Sequence, residues 1–558
     1  MGYYWSPVVK LLICIIIPLI LVSGFISLMG GPNPSNWVSN YQPFSSSGDI
    51  NTKLRPNSQV STKELKSKID GIVEGTAEQA AETEHSVFAA PPLAIQAAVS
   101  PVFAPAAKEE SILKDMAPNS TDIIAALSLN GTHDPPTRKV KLEKVTTHLD
   151  RLEFGLQKAR AVIKEPNYTN RTFNDPDFKP VGPLYWNANA FHRSYLEMEK
   201  QFKVYVYEEG EAPLFHNGPC KSIYSTEGNF IHLMEIDSKF RTKDPDKAHV
   251  FFLPFSVVMM VHYVYRRDSH DFGPIRHTVR DYISVISNKY PYWNRSLAAD
   301  HFMLSCHDWG PEASFSVPYL KKNSIRVLCN ANTSEGFRPR KDVSLPEINL
   351  RTGAIDGFVG GPSPSHRSIL GFFAGGLHGP IRPILLEHWG NKQDEDLKIY
   401  TYLPKGVSYY DMLRSSKFCI CPSGYEVASP RVVEAIYTGC VPVLISDHYV
   451  PPFSDVLNWK SFSVEVSVKD IPKLKAILAN IPMRQYLKMY RRVLQVRTHF
   501  EVHSPPKRYD FFHMILHSVW LRRLNCGIIF GYIVFGEEGA KNYCPQERGW
   551  KGVEFKFL

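Results

Sequence analysis

The sequence predicts an α/β fold made of two parallel, doubly wound units, and three observations predict it. β-prone runs and helical runs alternate along two successive stretches of the chain, the pattern of strands joined by crossover helices. The clearest unit, Lys417–Trp459, reads strand, loop, helix, strand. At 558 residues the chain is too long for a single core, since domains average roughly 150 residues.

In the first half, strands are expected near Lys203–Tyr207, His249–Phe255, His301–Cys306 and Ile325–Cys329, with helices near Thr226–Phe240 and Pro274–Lys289. The second half repeats the plan with strands near Ile369–Phe373, Lys398–Tyr402, Phe418–Cys421, Val441–Ile445 and Phe462–Val466, followed by helices near Pro482–Phe500 and Arg508–Leu524. Such alternation buries each sheet on both faces and puts ligands at the carboxyl ends of the strands. Two such units leave a cleft between them.

The helix of the central unit runs from about Pro430 to Thr438. Ser429 is expected to cap it, Pro430 suits a first turn whose N–H is unpaired anyway, and Gly439 suits a left-handed stop. Its amino end presents orphan N–H groups and the positive end of the helix dipole, and Arg431 adds a full charge there, which together suit a phosphate. Glu434 is the only acid between Glu426 and Asp447 and stands among Val432, Val433, Ala435 and Ile436. A carboxylate in apolar company needs a partner, so Glu434 either meets a polar ligand, pairs with Arg431, or lies on a solvated face. The Gly375-Gly376 turn leading through Gly379 to Arg382 permits close backbone approach to a diphosphate, which Arg382 can clamp with two hydrogen bonds.

The chain opens with the charge-free run Leu11–Met29, 19 residues long, which is enough to cross about 30 Å of hydrocarbon. Lys10 precedes it and no charge follows until Asp49, an asymmetry that leaves the amino end in the cytosol. A cleaved signal peptide is the rival reading, but its apolar core is usually shorter. MGYYWS also fits the loose myristoylation pattern, which adds little to an anchored chain. Residues 30–182 turn to Ser, Pro, Thr and Ala with few large apolar groups, a composition that cannot offset chain entropy and reads as a stem. Within it, Leu142, Val145, Leu149, Leu152, Leu156, Ala159 and Ile163 keep a 3-4 spacing over 140–164, a short helix that either dimerises or packs on the body.

The excess of 64 Lys and Arg over 55 Asp and Glu, a net +9, is spread rather than blocked. That argues against nucleic acid and fits an anionic substrate or acidic polysaccharide equally. Sequons stand at Asn119, Asn130, Asn167, Asn170, Asn294 and Asn332, all beyond the anchor. Eight of nine cysteines also follow it, where an oxidising lumen permits disulfides. Cys306 and Cys329 end short strands of one unit and are the first expected pair, whereas Cys419, Cys421 and Cys440 read equally well as buried thiols. The cysteines show no metal-ligand spacing.

The strings PSGYEVASPR, GGLHGPIR, SCHDWGP and PFSDVLNW, in a stretch of similarity that runs from about Val181 to Asn525, closely resemble the plant branch of the exostosin-like glycosyltransferases. The resemblance implies a GT-B enzyme, two Rossmann-like domains facing across a cleft, inverting and metal-independent. It implies that Arg382, Ser423, Ser429, Arg431 and Glu434 form the nucleotide-sugar side, with Glu434 on the ribose, and that the end helices cross back over the first domain. The donor expected is a UDP-sugar with no further cofactor, and the acceptor a cell-wall polysaccharide or glycoprotein glycan. The setting expected is the Golgi membrane, as a single-pass type II protein with a luminal body. A catalytically silent glycan-binding or scaffold subunit, joined to others through the stem as a homo- or hetero-oligomer, is the alternative.

A base should come from the first unit. Asp308, with His307 and Trp309, follows a strand at the ligand end, and Glu227 at a helix start is its competitor. Asp308 can equally cap a turn, Glu227 can equally complement a helix amino end, and another residue or none can serve. Asp244-Pro245-Asp246 mimics an Asp-x-Asp metal motif but precedes its strand, and a proline between aspartates suits a turn. The expected layout is a cytosolic tail (1–10), an anchor (11–29), a stem (30–182), an acceptor domain (183–355), a nucleotide-sugar domain with closing helices (356–525) and a divergent tail (526–558). The apolar run after Cys526 is too short to cross a membrane as a helix.

Overall fold

The computed structural model describes residues 147–164, 180–390, 392, 394–529 and 532–535. The anchor expected at Leu11–Met29 and the sequons at Asn119, Asn130, Asn167 and Asn170 lie outside the described residues. Among the described residues no helix is long and apolar enough to cross a membrane.

Two all-parallel sheets organise the body. The first holds β1 (Val204–Val206), β2 (Arg241–Thr242), β3 (Val250–Leu253), β4 (His301–Ser305), β5 (Ile325–Leu328) and β6 (Val343–Ser344), in the order β2-β1-β3-β4-β5-β6. The second holds β7 (Ile369–Ala374), β8 (Leu397–Tyr400), β9 (Ser416–Pro422), β10 (Val441–Ile445) and β11 (Val464–Glu465), in the order β11-β10-β9-β7-β8. Counted from each sheet's first strand, the first runs 2-1-3-4-5-6 and the second 2-1-3-4-5. That is the flavodoxin-like variant of the doubly wound plan rather than the 3-2-1-4 order, with a switch point at β1/β3 and another at β7/β9. Strands such as β3 (VFFL), β4 (HFMLS) and β10 (VPVLI) are buried throughout, because helices cover both faces. The two-residue strands β2 and β6 escape the sequence reading because neither is long enough to show a period.

Eight helices matter for the site: α1 (His148–Lys164), α2 (Ala188–Gln201), α3 (Ser225–Ile236), α4 (Ile381–Trp389), α5 (Tyr409–Ser415), α6 (Arg431–Thr438), α7 (Met483–Val496) and α8 (Phe511–Asn525). α1 packs on α2 and α8 with Leu156, Ala159 and Ile163 fully buried, and Arg193 Nη2 donates to the Ile163 carbonyl at 2.7 Å. The stem helix therefore lies on the body, the second of the two alternatives its spacing allowed. α7 packs on α6 and β10 of the second sheet, whereas α8 crosses back onto β5 and β6 of the first. Buried Arg522 of α8 donates to the Asp342 carbonyl at 2.8 Å and pairs with Asp455. After α8, β12 (Cys526–Ile529) pairs antiparallel with β13 (Tyr532–Phe535), so the short apolar tail run enters a hairpin.

One local expectation is corrected. Pro430, not Ser429, is the N-cap of α6, and the Ser429 hydroxyl instead accepts from Arg431 Nη1 at 3.3 Å. The Gly439 stop is as expected, at φ 71°. The expected Cys306–Cys329 disulfide is present, and a second, Cys419–Cys440, joins β9 to the end of α6, leaving Cys421 as a buried thiol. Asp244 caps a single turn, accepting from Asp246 N at 3.1 Å and pairing with Lys247, as the turn reading has it.

Candidate active site in the cleft between the sheets

The carboxyl ends of the two sheets face each other. Asn330, just past β5, donates its side-chain amide to Glu426 of the β9–α6 loop at 2.7 Å, and Thr333 N donates to the His448 carbonyl at 3.1 Å. The candidate groups of both halves converge on this cleft.

On the second sheet, the loops after β7 and β9, at the switch point, form the cationic side. A Cβ at Gly379, whose φ is +69°, would lie 1.8 Å from the Gly424 carbonyl, so no side chain fits where the two glycine loops meet. The closeness brings Arg382 at the start of α4 beside Arg431 at the start of α6. Arg382 is 7% exposed, and among the described residues it has no hydrogen bond and no ion pair. Burial, and then the neighbouring Arg431 charge, lower its guanidinium from 12.5 to about 9. Arg431 donates to the Ala374 carbonyl at 3.0 Å and lies 5.2 Å over the Phe373 ring, again without a carboxylate partner. Glu434, one turn on, is buried and accepts hydrogen bonds from Tyr409 at 2.9 Å and Tyr410 at 3.4 Å. It thus neither pairs with Arg431 nor lies on a solvated face. Ser423 donates to the Val427 carbonyl at 3.2 Å and closes its own loop, which makes it a shaping residue.

On the first sheet, the residues after β4 form the acidic side. The Cys306–Cys329 disulfide ties the ends of β4 and β5, fixing the segment that carries His307 and Asp308. Burial raises the Asp308 carboxyl from 3.8 to about 7, partly offset by the hydrogen bond from the Tyr224 hydroxyl and reinforced by the Glu335 charge. His307 is buried, accepts from Trp309 N at 3.0 Å, and is held neutral by burial with its pKa near 3. It orients the turn rather than carrying a proton. Trp309 stands edge-on to Tyr265 and Phe272 at 4.7 and 4.8 Å, an aromatic wall beside Asp308.

Glu227 is corrected from candidate base to brace. It is fully buried, and its carboxyl accepts from Ser256 Oγ, Val258 N, Ser305 Oγ and Cys306 N, tying α3 to the carboxyl ends of β3 and β4. With those four donors on it and no surface open to the cleft, it has no acceptor hydroxyl within reach.

Four residues missed in the sequence stand out. Tyr409 and Tyr410 hold Glu434, and Glu426 joins the Asn330 amide across the cleft, its carboxyl raised by burial and by Asp308 and Glu335. Glu347 lies three residues past β6, 5% exposed, within electrostatic reach of Asp308, Glu434, Arg431 and Arg382. The signal that singled out Glu434 was available here too, since Glu347 is the one acid in the apolar run VSLPEINL.

Comparison with known proteins bears on what this cleft is for. The family described as Exostosin GT47 domain matches residues 198–481. A probable glycosyltransferase of Arabidopsis thaliana is 66% identical over 425 residues, covering 75% of this chain and 81% of that protein. A probable β-1,4-xylosyltransferase of the same plant is 29% identical over 348 residues, covering 57% of this chain and 82% of its own length. Among solved structures, Alr3699/HepE of Anabaena in complex with UDP-glucose overlaps 56% of this chain and 97% of its own at 10% identity. Its TM-score of 0.28 is too low to bear weight.

Proposed function

This chain belongs to the exostosin GT47 family, and we propose that it moves a sugar from a nucleoside diphosphate donor, a UDP-sugar, onto a hydroxyl of a cell-wall polysaccharide or glycoprotein glycan. It is a glycosyltransferase related to plant xylosyl- and glucuronosyltransferases. The observation that carries the donor reading is Arg382, a buried guanidinium with no hydrogen bond or ion pair among the described residues, beside Arg431 at the switch point of the second sheet. The Glu347 carboxyl reaches Arg382 only through its field and forms no ion pair with it; a buried cation so weakly compensated costs several kcal/mol, and a diphosphate supplies the contact charge.

In this reading Arg382, Arg431 and the amino end of α6 hold the diphosphate, and Glu434, aimed by Tyr409 and Tyr410, takes the ribose hydroxyls. Asp308 removes the proton of the acceptor hydroxyl as its oxygen attacks the anomeric carbon. The bond from that carbon to the diphosphate oxygen breaks on the opposite face, which inverts the configuration. The two guanidiniums stabilise the charge that gathers on the leaving group, the place a divalent cation fills elsewhere. The same proposal sets the chain in the Golgi membrane with a luminal body, supported by the apolar run Leu11–Met29 and by two disulfides.

Calorimetry with UDP and transfer rates on the full chain test it. Arg431→Ala and Glu434→Gln should each weaken UDP binding by roughly 1.5–3 kcal/mol, the worth of a lost charged hydrogen bond. Unchanged affinity in both variants refutes the site, and no UDP binding by the parent favours the scaffold reading.

A further inference from the structure

Glu347 has no role in the mechanism above, yet it sits where the transferred sugar must pass. A sugar on a diphosphate held by Arg382 and Arg431 reaches toward Asp308, and Glu347 is within electrostatic reach of all three. The residue is 5% exposed, and among the described residues its carboxyl makes no hydrogen bond and no ion pair. It cannot swing away easily. The carbonyls on either side are pinned, Pro346 by the Thr226 hydroxyl and Ile348 by the Ser225 hydroxyl, each at 2.7 Å. Leu345 and Ile348 are themselves fully buried. A buried carboxyl left unpaired is costly unless a ligand satisfies it.

We infer that Glu347 is a specificity-determining residue that holds the hydroxyls of the donor's transferred sugar and makes the pocket one for an uncharged glycosyl group. The inference rests on the donor reading above. A diphosphate diester carries about two negative charges at neutral pH, so it occupies both guanidiniums. What then faces the sugar is Asp308 and Glu347, both able to accept from hydroxyls, while Glu434 is taken up by the ribose. Burial, followed by the Asp308 and Glu434 charges, already pushes the Glu347 carboxyl well above the usual range. A uronic acid would add another anion there, and the cations whose charges reach Glu347, Arg431 and Arg382, already face the diphosphate.

The test compares UDP with UDP-glucose, UDP-galactose, UDP-xylose, UDP-glucuronate and UDP-galacturonate on the full-length chain and on Glu347→Ala and Glu347→Gln. In the parent, one of the uncharged donors should bind at least tenfold more tightly than UDP and exceed both uronates at least a hundredfold in kcat/KM. In Glu347→Ala the tenfold margin over UDP should vanish while UDP affinity stays within twofold, and Glu347→Gln should keep part of it. UDP affinity also reports that the variants are folded. A uronate as best donor, or an unchanged margin in Glu347→Ala, overturns the inference. A parent that binds no UDP fails the donor reading instead.

Discussion

Replacing Arg382 by methionine should have opposite effects on the fold and on the ligand. The fold gains because Arg382 is buried with no hydrogen bond or ion pair among the described residues. A guanidinium that titrates at 12.5 in the unfolded chain and about 9 in the fold costs the folded state about 5 kcal/mol, an upper bound on what Arg382→Met releases. The sign follows from the direction. The folded value is depressed, so the cost is complete at neutral pH and fades only as pH rises above about 9. Methionine keeps an unbranched apolar stem beside Gly424, so lost packing offsets only part of the gain. The ligand loses instead, because a clamped phosphate contact is worth roughly 1.5–3 kcal/mol, or about 10- to 150-fold in UDP affinity. Thermal unfolding of the full chain with and without UDP reads both effects. The parent should melt lower than Arg382→Met alone, and UDP should raise the melting temperature of the parent far more. A variant that is less stable than the parent without UDP, or that binds UDP equally well, would refute the argument.

Three further outcomes follow from the same geometry. With the Asp308 carboxyl at about 7, a base that works deprotonated should give kcat/KM an ascending limb centred near pH 7, and Asp308→Asn should abolish that limb and leave UDP affinity nearly unchanged. Transfer should persist in excess chelator, because Arg382 and Arg431 carry the leaving-group charge; loss of activity restored by Mn²⁺ would contradict this. Of the two sequons within the body, Asn294 is exposed and should carry glycan in a luminal chain, whereas Asn332 is 7% exposed and accepts from Ser334 N at 3.0 Å, so it should stay bare unless glycan is added before folding; peptide mapping after glycosidase treatment distinguishes them.

The fold was largely legible in this sequence because its strands are fully buried and its helices are punctuated. Continuous apolar runs such as Val441–Ile445 match the observed strand residue for residue, and Gly439 marks the end of α6. What escaped was long-range. Nothing local distinguishes a 2-1-3-4-5 order from a Rossmann order, since both arise from the same alternation of strand and helix. The Cys419–Cys440 disulfide likewise depends on the distance between β9 and the end of α6, which the packing of that helix sets.

The site divides along the same line. That Arg382 and Arg431 stand at helix starts after strands was legible because each follows a marked turn; their part in holding a donor, with Glu434, is the proposal made above. Glu227 misled for the opposite reason. An acid in the first turn of a helix looks the same whether it faces a cleft or a neighbouring helix start, and only the Ser256 hydroxyl and the Val258 and Cys306 amides closing on it decide the matter. Glu347 shows where local reasoning stops. Its isolation in an apolar run says that a buried carboxyl needs a partner, but the groups around it, Asp308 from one sheet and Arg382, Arg431 and Glu434 from the other, are brought together only by the closing of the two sheets. The charge a donor sugar meets is thus set by which loops the two sheets bring face to face, and by no single motif in the chain.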